Sequence, residues 1–300
     1  MVMCVRIAAM TASLLMAATS SAGVIDGRLN APPISMTIAL YAEPGPQWKR
    51  MAASAKAFPS VPMTAIISPH HDDNTPGPSA EAGDNIEKYL AHNQTWLRAM
   101  AELRAAGVQI QHYFHMRNLT CPGGEHKCGC GEDPECCLVQ GQCLRKYRCC
   151  NDIGNVGVIT NQSITYFPQD GFFADNGAFG NHTYEQQMHV LTQVGAAKPR
   201  PVLVNGGTDD EWALQHGMSV SSEFTRVCHK LPKFASKYSR DRFVAIVHTV
   251  YNASDMRRQV DNCIDIGFGN LGVVSDYNEA IPSYWEEQVA YIAQKNQELR

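Results

Sequence analysis

The stretch GFFADNGAFG, residues 171–180, sets Phe172, Phe173 and Ala174 before Asp175 and Asn176, between two glycines. An apolar run of this length bounded by glycines suits a strand covered on both faces, and such strands belong mainly to parallel sheets. Parallel sheets gather their chemistry at the carboxyl ends of the strands. Asp175 is therefore a candidate site residue, with a strand-capping aspartate in a turn as the structural alternative.

Working outward, seven further apolar runs share this form. SMTIALYAEP (35–44), MTAIISP (63–69) and GVQIQHYFH (107–115) precede it; RPVLVNGG (200–207), MSVSSEFT (218–225), RFVAIVHTV (242–250) and NLGVVSD (270–276) follow. Most are followed by a helical pattern. Ile86, Tyr89, Leu90, Trp96, Leu97, Met100 and Leu103 recur at three- and four-residue steps, as do Tyr184, Met188, Leu191 and Val194, and then Met256, Val260 and Ile264. Repeated strand and helix imply βαβ units, and eight of them over roughly 240 residues match a closed (β/α)8 TIM barrel. A doubly wound open sheet is the rival, but no GxGxxG or Walker pattern follows the first strand.

The first 22 residues read as a secretory signal peptide: one basic residue, an apolar run of roughly a dozen, and small residues up to Ala22. Residues 23–300 are then expected to form one barrel domain, soluble, extracellular or wall-associated, and monomeric. No later run approaches the length of a membrane helix. Losing Arg6 with the signal changes the net charge from −4 to −5, which argues against nucleic acid as a partner.

Of eleven cysteines, Cys4 leaves with the signal, and the remaining even set in a secreted chain favours disulfides. Eight crowd into residues 121–150, so 118–152 is expected to be a cysteine-rich insertion between the third and fourth strands, with its cysteines paired among themselves. A zinc cluster of Cys128, Cys130 and His126 is the competing reading; it lacks paired CxxC modules. Cys228, after the sixth strand, and Cys263, in the helix after the seventh, are expected to pair with each other. Sequons at Asn93, Asn118, Asn161, Asn181 and Asn252 agree with the secretory route.

The predicted strand ends present Tyr41, Glu43, Ser68, Tyr113, His115, Asp175, Asn176, Asn205, Glu223, His248 and Asp276. The set contains no GxSxG elbow and no HExxH helix. PHHDD (69–73) offers metal-ligand types, but adjacent residues rarely bind one ion together, so it reads as a solvated loop. Neither metal nor cofactor is expected. A lining of acids, amides and aromatic rings suits a sugar: carboxylates do acid and base work, and ring faces stack on pyranose. Glu223 follows small and apolar residues, so partial desolvation, the condition for a proton donor near neutral pH, is expected of it. An ion pair with Arg226 is the structural alternative.

These residues resemble the spherulin-four-like family, which includes secreted glycoside hydrolases acting on galactosamine-containing polysaccharide. The similar pieces run in order from about Ile34 to Ala293: LYAEPGPQW, LRAAGVQIQHYFH, GFFADN, VLVNGG, SSEF, IVH and VVSDYNEAIPSYWEE. The resemblance implies a (β/α)8 barrel that hydrolyses α-linked galactosamine or N-acetylgalactosamine polymer. It puts the family's strand-four aspartate on Asp175 and its strand-six glutamate on Glu223. The second strand-four acid falls on Asn176, and the segment after strand two is also altered. Asp175 is then expected as nucleophile or stabiliser and Glu223 as proton donor, with the reverse assignment as the alternative. Tyr41, Tyr113, His115, Asn176, Asn205, His248, Asp276 and Trp285 are expected to bind the substrate. The alternative is a glycan-binding barrel without catalysis.

Overall fold

The computed structural model describes residues 32–68, 86–115, 137–139, 142–144, 169–175, 201–206, 209–276 and 281–299. Strands β1 (Ser35–Ala39), β2 (Met63–Ile67) and β3 (Gln109–His115) alternate with helices α1 (Pro46–Ala57) and α2 (Ile86–Ala105). A short hairpin, β4 (Cys137–Val139) and β5 (Gln142–Leu144), comes next, and then β6 (Gly171–Asp175) and β7 (Val202–Asn205). Helix α3 (Glu211–Gln215), β8 (Ser219–Thr225), β9 (Phe243–His248), α4 (Ala253–Asp265), β10 (Asn270–Val273) and α5 (Trp285–Glu298) complete the order. Eight strands close in the order β1-β10-β9-β8-β7-β6-β3-β2, every pair parallel. The fold is a (β/α)8 barrel.

The hairpin stands apart from the barrel sheet, antiparallel, with Cys137 opposite Leu144 and Leu138 opposite Cys143. It lies in the cysteine-rich insertion; its cysteine partners, the signal segment, PHHDD, the helical pattern at 184–194 and Asn176 fall outside the described residues.

Strand alternation sends side chains to two cores. Ile66, Phe173, Leu203, Val244 and Ile246 fill the barrel, with Tyr41 and Tyr113 packed on them. Phe172 and Ala174 point the other way, into the layer between sheet and helices, where Trp48 and Trp96 meet edge to face at 5.2 Å. This two-sided burial is why the strands read as continuous apolar runs. Gly171 permits the approach of β6 to the chain entering β7: a Cβ there would sit 2.3 Å from the Pro201 carbonyl oxygen.

The connection from β8 to β9 carries no α-helix. Residues 226–242 form turns and one 3₁₀ turn at Arg240–Arg242, interrupted by Pro232. A disulfide joins Cys228 in this segment to Cys263 in α4, Cα atoms 5.4 Å apart, the pairing expected from their places after two neighbouring strands. Both sulfur-bearing side chains are buried, and Asn262 Nδ2 also donates to the Cys228 carbonyl at 2.5 Å.

Candidate active site

At the carboxyl end of the barrel, period-two alternation brings Tyr113, Asp175, Asn205 and Glu223 to the inside, from β3, β6, β7 and β8. Registers place His115 beside Asp175 and Asn205 beside Ser221. Asp175, whose apolar strand is barrel wall, accepts from the Tyr113 hydroxyl on Oδ2 at 2.6 Å and from Asn205 Nδ2 on Oδ1 at 2.9 Å. The same Nδ2 donates to Glu223 Oε1 at 2.6 Å. With one nitrogen bound to both, the two accepting oxygens lie no more than 5.5 Å apart.

The two acids differ in environment. Asp175 is half-buried and accepts on both oxygens. Glu223 is exposed and, among the described residues, accepts on one oxygen, from Asn205. Exposure corrects the sequence expectation of a desolvated Glu223: the residues before it are small and mostly buried, but its own side chain, still within β8, lines the open cleft. The alternative ion pair with Arg226 does not form among the described residues either.

Tyr113 stacks on Phe173 at 5.8 Å and meets Tyr41 edge-on at 5.4 Å. Burial, and next the charge of Asp175, hold its hydroxyl well above the ordinary tyrosine range, so it remains a protonated donor. Asn205 is itself buried, its Oδ1 accepting from the Ser221 hydroxyl at 2.9 Å.

A cleft of about 550 Å³ opens beside the pair, lined by Asp175, Asn205, Gly206, Ser222, Glu223, Phe224, His229 and Lys230. Its outer wall is the helix-free segment after β8. His229 lies edge-on to Phe224 at 5.2 Å, and Lys230 reaches Asp209 at 2.9 Å. That ion pair is exposed on both sides and contributes little to stability. Sequence reasoning missed Ser221, Ser222, Phe224, His229 and Lys230. Ser221 was within reach, since period two puts it on the face of Glu223; the wall residues carry no strand signal.

Other expected site residues also stand at strand ends, outside the hydrogen-bonded group. His248 closes β9, half-buried and in register with Thr225, and does not line the cleft. Asp276 is exposed past the end of β10, and Glu43 is exposed past β1. Ser68 is buried at the end of β2. His115 ends β3, but its side chain, like Asn176, lies outside the described residues. Trp285 requires a correction. It opens α5, is fully buried between sheet and helices, and donates from Nε1 to Ser54 Oγ at 2.9 Å. No face of its ring is presented to a substrate. The neighbouring Tyr284 is structural too, its hydroxyl donating to the Val250 carbonyl at 2.8 Å.

Among the described residues, no three His, Cys, Asp or Glu side chains come together as metal ligands, and no helix is long and apolar enough to cross a membrane.

No family model and no curated protein matches the sequence. Solved structures do match in fold. A GH20 β-N-acetylhexosaminidase from Streptomyces coelicolor A3(2) aligns with TM-score 0.51 at 10% identity, over 88% of this chain and 64% of its own. An endo-β-N-acetylglucosaminidase from Cordyceps militaris aligns with TM-score 0.49 at 8% identity, over 90% of this chain and 92% of its own. The product complex of an α-L-fucosidase from Lactobacillus casei gives 0.48 at 13% identity, over 87% and 82%. At such identities the likeness is one of fold.

Proposed function

We propose that the protein is a secreted glycoside hydrolase acting by a pair of carboxylates, Asp175 and Glu223, on polysaccharide containing α-linked galactosamine or N-acetylgalactosamine. The observation that carries the hydrolase reading is the bridge of Asn205, which donates to both acids at the carboxyl mouth of the barrel. With both acids on one nitrogen, their accepting oxygens are no more than 5.5 Å apart, close enough for two carboxyl groups to flank one glycosidic bond. The choice of substrate rests on the family resemblance. That solved neighbours of the same fold include enzymes named for N-acetylhexosamine and fucose glycosides is in keeping with it.

In this reading, Asp175 meets the positive charge that develops at the anomeric carbon. Both its oxygens already accept hydrogen bonds, so it is held as an acceptor. Glu223, whose other oxygen accepts no hydrogen bond among the described residues, delivers the proton to the departing oxygen once the bound sugar covers the cleft and supplies the desolvation that its open position lacks. Tyr113 stays protonated and fixes Asp175 rather than reacting. Water enters through the cleft bounded by His229 and Lys230, adds its oxygen to the anomeric carbon and gives a proton back to Glu223, which restores the acid.

Asp175→Asn and Glu223→Gln should each lower release of reducing ends from α-linked galactosamine polymer by several orders of magnitude with the fold intact. A variant of either that retains most of its turnover would remove that residue from the mechanism. Asn176, where the resembling family has an acid, favours a second reading: a glycan-binding barrel without catalysis. Binding on a glycan array without product, together with hydrolysis gained by Asn176→Glu, would establish that reading in place of the first.

A further inference from the structure

Resting on this reading of the two acids, we infer that Ser221 is a positioning residue of the site: its hydroxyl orients the Asn205 amide so that the amide holds Asp175 and Glu223 in one geometry. An asparagine side chain has one accepting and one donating end. Turned one way, Nδ2 gives a hydrogen to each carboxylate, at 2.9 and 2.6 Å; turned the other, Oδ1 sets its lone pairs against two acids.

The outer end of the amide therefore also needs the right partner. Ser221 provides it, donating to Asn205 Oδ1 at 2.9 Å from a fully buried position on the neighbouring strand. The register pairs these two residues directly, so the contact is built into the barrel wall. The Val204 carbonyl, 3.3 Å from the same hydroxyl, is the competing acceptor for its single proton. Donation runs in one direction: Ser221 to Asn205, then Asn205 to both acids. Bonds to charged acceptors are stronger than neutral ones, so the chain gains most when the amide faces the acids.

Asn205 then acts on the acids and not chiefly on substrate hydroxyls, the role expected from sequence. Ser221 touches neither the acids nor the cleft, which is lined by Ser222 in its place. Its effect passes through Asn205 alone. Without it, the buried Oδ1 loses its donor, the amide still faces the acids but can pivot about its Cβ–Cγ bond, and the separation of the acids is no longer fixed.

The test uses the full mature chain labelled with ¹⁵N, with the side-chain NH2 signals of Asn205 assigned by their loss in Asn205→Ala. Two separate, downfield, slowly exchanging protons are expected in the wild type. Ser221→Ala should shift them toward the ordinary asparagine position and speed their exchange while backbone amide signals stay in place. Ser221→Thr, which keeps the hydroxyl, should preserve them. On α-linked galactosamine polymer, Ser221→Ala should lower kcat by roughly ten- to hundredfold with KM little changed, the pattern of misplaced catalytic groups. If Ser221→Ala is too unstable to measure, Ser221→Cys, close in volume and a weak donor, should show the same displacement in lesser degree.

Unchanged Asn205 signals in the Ala or Cys variant would overturn the inference, whatever the activity. Displaced signals in a protein that hydrolyses nothing would support the orientation by Ser221 and refute the hydrolase reading, so the two can fail separately.

Discussion

The Tyr113 hydroxyl donates to Asp175 Oδ2 at 2.6 Å, joining the third barrel strand in sequence to the fourth at the point where the sheet meets the cleft. The contact secures the acid from the side opposite Asn205, and it depends on a phenol that remains protonated.

Tyr113→Phe removes that donor and leaves the ring packed on Phe173. A hydrogen bond to a charged group contributes about 1.5–3 kcal/mol. If the bond strengthens as the reaction proceeds, turnover on galactosamine polymer should fall by roughly ten- to hundredfold. The pH dependence of stability is a separate readout. Folding raises the Tyr113 hydroxyl above its unfolded value, so its contribution is complete below about pH 10 and declines as pH rises beyond that. Denaturant unfolding of the wild type should therefore lose stability above about pH 10 more steeply than Tyr113→Phe. Parallel curves would mean that the hydroxyl is not held in its protonated form.

Trp285 should matter to the fold and not to the substrate. Its ring is fully buried and its Nε1 is tied to Ser54, so Trp285→Ala should cost about 3–5 kcal/mol. Trp285→Phe, which keeps most of the packing and loses the hydrogen bond, should lower the melting temperature and leave KM unchanged. A rise in KM with unaltered stability would return Trp285 to the substrate.

The Cys228–Cys263 bridge should hold the cleft wall as well as the fold. It closes a loop with a sequence separation of 35 residues, for which chain entropy gives roughly 3–4 kcal/mol. Because residues 226–242 lack a helix, this tether sits where helical packing would otherwise hold His229 and Lys230. The Cys228→Ser, Cys263→Ser double variant should show faster hydrogen exchange across 226–239, and weaker glycan binding, at temperatures where the barrel remains folded. Exchange that rises uniformly across the barrel would instead make the bridge a global staple.

Much of this protein was legible in its sequence because strand and helix periods are local properties. Apolar runs with helical patterns between them determined a closed parallel barrel, and the residue ending each run marked where Asp175, Asn205 and Glu223 would stand. The spacing of the last two cysteines against that order was enough to pair them. Tertiary structure decided what those positions become. Glu223 is exposed and not desolvated, because burial depends on the wall opposite and not on the residues preceding it. Asn205 serves two acids, because Asp175 on β6 and Glu223 on β8 both come within reach of its amide, a relation between strands that no single strand encodes. Trp285, an aromatic residue in a motif beside a strand end, belongs to the core because α5 turns its first residue onto Ser54 of α1, more than two hundred residues earlier in the chain. Period fixes which face a side chain takes; only the packed barrel fixes what that face meets.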